Sequence, residues 1–364
     1  MTPKKLISPF YERLALVLVG LIALSYLVIL GKEILDPLLF GFLFAVLLLP
    51  VSAFLEKKLR FPRSISSFVS ILLFVGFISF VVYMVGTQIS GLTNDWPMLK
   101  TQIAQSLTDI QNWVQMTFHI NADKQMSYVH DTTEKIMASG TVVLGTTFGA
   151  VSSLLLFYVF ILIFTFFILF YRTLLYRFVL RVFNDDDSHV VMDIVQNVQK
   201  ILRQYILGLI LEMAIVAVIA CAVFWFIGIK YAVLLGILVG LFNIIPYVGI
   251  FTALLLSSII TFATGTISQT VTVAISVVAI HAVDSNFLLP IIVGAKVRLN
   301  ALITFIGIIV GEMMWGLSGM FLSIPVIAIF KIIFDRVQSL KPWGYILGGD
   351  YEYDDDAKEE MKTE

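Results

Sequence analysis

From Tyr231 to Val283 the chain runs for 53 residues without a formally charged side chain, and from Ile136 to Tyr171 for another 36. About 20 apolar residues carry a helix across a bilayer, so runs of this length hold one or more passes. The composition agrees. Hydrophobic residues make up 59% of the 364, charged residues 13%, and the mean hydropathy is +0.96, against about 45–50% and about 25% in soluble domains. The expected fold is therefore an all-α, polytopic integral membrane protein, with the lipid bilayer as its first partner. A net charge of -1 supplies no concentrated basic face, which argues against nucleic acid as a partner. The lone cysteine, Cys221, excludes an intramolecular disulfide framework and reads as a small apolar filler.

Charge-free runs place the spans. Leu14–Leu30 is the first, Ile34–Leu55 the second, with Asp36 near its start and Pro37 and Pro50 as end or kink points. Ile65–Val85, Leu154–Tyr171 and Ile206–Ile229 follow, the last carrying Glu212. Beyond Lys230 the apolar stretches are interrupted at "NIIPYVG", "ATGTISQ" and "WGLSG". About eight transmembrane helices with broken or re-entrant hairpins fit this pattern, as do ten shorter crossings. The chain divides into helices 1–3 (1–85), an extracytoplasmic amphipathic segment (86–145) and a fourth span with an interfacial helix (146–205). A core with two interrupted hairpins (206–340) and an acidic tail (341–364) complete it.

Loop cations set the orientation. Lys57, Lys58, Arg60 and Arg63 follow the second span; Arg172, Arg177, Arg181, Lys200 and Arg203 follow the fourth; Lys331, Arg336 and Lys341 precede the tail. All three groups, and both termini, are expected in the cytoplasm. The 86–145 segment has five acids against three lysines and is expected outside. There Leu99, Ile103, Leu107, Ile110 and Val114 recur at helical spacing, the stripe of a cap packed on the membrane domain, and a weaker helix follows from Asp123. Inside, Ser188 after three acids starts a helix whose Val191, Ile194 or Val195, Val198 and Ile201 or Leu202 form a stripe. It is expected to lie along the interface and run into span five at "RQY".

The chemistry must lie in polar residues that the spans tolerate, since an intramembrane acid usually faces a cavity or a partner. Asp36, beside Lys32 and Glu33, reads as a helix-start cap. Glu212, about one and a half turns into its span, could snorkel or pair with Arg203. Asp284 and Glu312 are the deeper acids. His281 and Asp284 share a helix face, and "DSN" before Pro290 marks a break that frees backbone carbonyls. Two readings stand side by side there: a polar solute or proton site, and a simple cap near Lys296 and Arg298.

An internal echo adds to this. "GILVG" at Gly236–Gly240 recurs as "GIIVG" at Gly307–Gly311, each followed by a breaker. Gly236, Gly240 and Gly307 suit close helix packing, and paired interrupted segments point to a transporter's binding region. Asn243, Pro246, Gly249, Glu312 and Gly316 are where two hairpin tips are expected to meet. "GLSG" also satisfies the pattern of an intramembrane serine protease, with His281 as a conceivable base. The histidine precedes the serine, however, and glycine and serine are ordinary turn material. Metal-ligand spacing, a phosphate loop and paired-aspartate protease motifs are absent, so neither a metal nor another cofactor is implied.

"RQYILG", "LVGLFNIIPYVG", "VDSNFLLPIIVGAKVRLNALITFIGIIVGEMMWGLSGMFLSIPVIAIF" and "KPWGYILG" resemble the autoinducer-2 exporter (AI-2E) family of bacterial permeases, most specifically from Arg203 to Gly348. The resemblance implies a multi-pass permease of the bacterial plasma membrane and a homo-oligomer, a pentamer among its possible forms. Some members are linked to export of the quorum-sensing molecule autoinducer-2, others to sodium or lithium exchange for protons. It carries Asn243, Pro246, Tyr247, Gly249, Asp284, Asn286, Pro290, Gly294, Asn300, Gly311, Gly316, Gly319 and Pro325. The glycines and prolines would shape broken helices, and Asp284, Asn286 and Asn243 would contact a polar solute or cation. Glu312 departs from the small or apolar residue expected after Gly311. The resulting expectation is a non-enzymatic permease exporting a small hydrophilic, autoinducer-2-like metabolite. A cation/proton antiporter using Asp284 or Glu312 is the alternative, and the serine protease ranks last.

Overall fold

The computed structural model describes residues 10–94, 154–183, 188–245, 248–289, 291–292 and 299–348, with Thr101, Gln105, Thr108 and Met116. The amphipathic stripe from Leu99, the helix from Asp123, the acidic tail, and Pro246, Tyr247, Pro290 and Gly294 lie outside these residues. The described elements are helical: α1 (Phe10–Leu30), α2 (Lys32–Lys58), α3 (Arg63–Asn94), α4 (Leu154–Val182), α5 (Ser188–Phe226), α6 (Ala232–Phe242), α7 (Val248–Thr264) and α8 (Ile267–Val283). A π-helical turn (Asp284–Leu288), α9 (Ala301–Trp315), α10 (Leu317–Arg336) and α11 (Lys341–Gly348) follow. The chain is an all-α, multi-pass membrane protein. Among the described residues, α2, α3, α4, α5, α10 and α8 with its π-helical extension are the six helices long and apolar enough to cross a bilayer. The shorter α6 and α9 supply the interrupted pieces that the sequence suggested; at 1.5 Å per residue, the 11 residues of α6 reach only about 16 Å.

The long helix α5 organises the rest. No proline interrupts Ser188–Phe226, so the expected interfacial helix and span five form one rod of 39 residues, about 58 Å long. The helix is continuous through "RQY". The stripe residues Val198 and Leu202 are buried, in one apolar core with Tyr205, Ile206 and Leu209 of α5, Leu43 and Val46 of α2 and Leu322 of α10. Further along, Val216, Ala220 and Phe224 form a second core with α6, α7 and α8. Apolar side chains of α1, α3 and α4 stay largely exposed, as lipid-facing surfaces do.

Between helices in hydrocarbon there is no water to expel, so association rests on close packing over small residues. Gly236 lies against the Cys221 backbone and Gly240 against Ala217 and the Met213 carbonyl, drawing α6 onto α5. Gly311 and Gly319 meet backbone to backbone where α9 crosses α10, and Gly307 meets the Ile327 side chain. Gly316, at φ +68°, joins the two helices in a conformation that residues with a Cβ adopt at a cost.

Pro37 and Pro50 lie inside α2 and Pro325 inside α10, so none of the three ends its helix. The two hairpins share α5 as a neighbour: α9–α10 also lies against α1 and α2, and α6–α7 against α3 and α8, with Ile244 of the α6–α7 turn packed on the core that contains Trp315 and Leu322.

Gly311→Val and Gly319→Val should each cost about 1–3 kcal/mol by overpacking the crossing. Thermal unfolding in detergent checks this, with Gly20→Val as control, since nothing lies within 4 Å of the Cβ position there.

Candidate functional site

Glu212 stands on α5 between the two apolar cores, and its side chain is buried, 3% exposed. One turn beyond it, the Gly240 contact with Met213 and Ala217 fixes the register of α6, whose end at Phe242 sets Asn243 beside Glu212. The third member comes from α8. A capping box starts that helix, with the Thr266 hydroxyl accepting from the Gln269 N–H, and the helix ends in the π-helical turn that begins at Asp284. Such single-turn widenings occur where a helix must present a side chain that regular geometry would turn away. Pro290, just past Leu289, has no N–H to continue a regular ladder. Asp284 is 2% exposed.

One amide ties the three helices together. Asn243 Nδ2 donates to Glu212 Oε1 at 3.1 Å and to Asp284 Oδ2 at 2.9 Å. The two carboxyl groups therefore share one donor. Their other oxygens, Glu212 Oε2 and Asp284 Oδ1, are buried without a donor among the described residues. Two carboxylates this close, answered by a neutral amide, need a proton or a cation between them. A small cleft bordered by Asn243 and His281 adjoins the cluster.

The other expected residues fall elsewhere. Glu212 was the weaker candidate, read as snorkelling or pairing with Arg203, yet it is a full member, because its register against α6 decides its partner. Glu312 is exposed in the last turn of α9, where its carbonyl accepts from Gly316 N–H at 2.7 Å, and it does not join the other acids. Asn286 is exposed and donates to the Ala282 carbonyl at 2.7 Å within its own helix. His281 Nε2 lies 3.2 Å from Ser285 Oγ, not at Ser318 of "GLSG". Asn300 caps α9 by accepting from Leu302 N–H at 2.9 Å. Gly249 opens α7 against the Phe242 carbonyl and tightens the turn that carries Asn243.

Asp36 is no helix cap. It is 4% exposed inside α2 and bonded to Ser318, so "GLSG" is the α9–α10 turn docked onto a buried acid. The Trp315 indole N–H donates to the Val28 carbonyl at 3.0 Å and holds the same turn to α1. No spacing in the sequence links Asp36 to Ser318. The only signal was a carboxylate inside an otherwise apolar run.

A family model described as AI-2E family transporter matches residues 14–339. The chain is 28% identical over 313 residues to YrrI of Bacillus subtilis, covering 83% of this chain and 86% of that one. It is 28% identical over 322 residues to YueF of the same organism, covering 84% of each. To YhhT of Escherichia coli it is 20% identical over 320 residues, 87% of this chain and 89% of that one. All three are named provisionally as transport proteins, without a substrate.

Asn243→Leu removes the donor to both acids, and leaving buried acceptors unsatisfied costs about 1–3 kcal/mol each. A lowered unfolding midpoint in detergent should report it, with Asn286→Leu, at an exposed amide, nearly neutral.

Proposed function

The chain belongs to the AI-2E transporter family, and from that premise we propose that it is a secondary permease whose Glu212–Asn243–Asp284 cluster binds a proton or monovalent cation during transport. The observation that carries the reading is the pair of buried carboxyls bridged by one amide, each with an oxygen that no described residue satisfies. A proton or a small cation balances that charge, and alternation between the two is the elementary step of exchange. Asn243 supplies a neutral donor that holds the acids in register while either ion is present.

Export of a small hydrophilic metabolite of the autoinducer-2 type is the second reading, favoured by the description of the matching family model. The two are compatible where proton movement drives the solute. The positive-inside bias of the 56–63 loop, the 172–203 stretch and the 331–341 region supports cytoplasmic termini in a plasma membrane. The resemblance supports a homo-oligomer.

In everted membrane vesicles, sodium or lithium should dissipate an imposed pH gradient, and Asp284→Asn and Glu212→Gln should abolish the response while leaving protein levels unchanged. An intact wild-type gradient, with metabolite efflux still present, leaves export without cation exchange. A reporter active only in the cytoplasm, fused after Gly348, should be active, and the same reporter placed between residues 117 and 150 should not.

A further inference from the structure

A cavity of about 520 Å³ opens between α2, α4 and α5. Its wall is apolar apart from Arg172, Tyr176 and Gln199. Along α2 it extends from Leu38 to Leu49, about 16 Å at 1.5 Å per residue, close to the half-thickness of a hydrocarbon core of about 30 Å. Arg172 donates through Nη2 to Glu56 Oε2 at 2.5 Å, and its Nη1 is buried with no acceptor among the described residues. A second, polar cavity shares Val46, Leu49 and Gln199 with the first and adds the exposed Lys200 and Arg203. Among the described residues, the linings of the two cavities carry three cations, Arg172, Lys200 and Arg203, and no carboxylate, and Glu56 forms its ion pair with Arg172.

We propose that this groove binds an anionic phospholipid. The phosphate sits at Arg172, Lys200 and Arg203, and one acyl chain runs along α2 from Leu49 toward Leu38. A guanidinium that already holds one carboxylate keeps a second edge of its planar fork for phosphate oxygens, and basic pockets between membrane helices take acidic headgroups. A small hydrophilic anion would answer the charge and leave the apolar wall without a partner; a zwitterionic lipid would fill the wall and leave the excess positive charge. The inference does not depend on which ion or solute the protein carries.

Native mass spectrometry of the full-length protein in neutral detergent tests it, with dioleoyl phosphatidylglycerol, dioleoyl phosphatidylcholine and glycerol 3-phosphate as probes. Phosphatidylglycerol should be retained in preference to the other two. The preference should weaken about fivefold for each exposed cation removed in Lys200→Gln/Arg203→Gln, and should weaken in Arg172→Lys, which keeps the charge and loses the fork. Leu49→Trp, which fills the groove and changes no charge, should also lower retention. Equal retention of the two lipids overturns the proposal, as does equally tight glycerol 3-phosphate. So does a preference that survives Lys200→Gln/Arg203→Gln and Leu49→Trp, and those two variants carry the test if Arg172→Lys fails to fold.

Discussion

Two hydrogen bonds from one side-chain amide join α5, the turn after α6 and the end of α8. The surrounding helices adjoin one another largely through apolar surface that lipid would cover equally well, so polar bonds and close contacts over small residues decide how they sit. Gly236 and Gly240 bring α6 onto α5, Gly249 folds α7 back on α6, and the π-helical turn offers Asp284. Each is a local departure from ideal helix packing, and together they place two acids on one amide.

That placement explains why charge sits in the middle of this bundle. The two apolar cores on α5 end at Leu209 and resume at Val216, and Glu212 lies in the gap. Elsewhere among the described residues, charged pairs join Arg172 to Glu56, Arg336 to Asp193 and Lys331 to Asp335. Those pairs bring a cation with their carboxylate. Among the described residues the central pair brings none, which is the contrast with structural ion pairing on which the proposed ion-binding role rests.

Much of this was legible in the chain, since charge-free runs follow directly from the cost of burying charge in lipid. Asp284 stood out for the same reason, and Asn243 because it follows the first of the two repeated glycine motifs. Glu212 was undervalued because depth was counted from Arg203 and Gln204, whereas its partner is set by a glycine contact between α5 and α6 that no spacing reveals. Glu312 was overvalued by the opposite error: a long apolar run does not show that a 15-residue helix ends three residues later, leaving its side chain exposed. Asp36 meets Ser318 only because α9–α10 docks across α2, a contact spanning most of the sequence.

The uninterrupted α5 has a mechanical consequence. A 39-residue helix without proline bends only gently, so it behaves as a fixed mast on which Glu212 keeps its height. Any rearrangement that exposes the acids first to one side and then to the other must be carried by the lighter pieces that bring Asn243 and Asp284 to it. The short α6, its turn and the widened end of α8 are those pieces. Under the proposed ion-binding role, the ion would stay at nearly constant depth while the walls around it move.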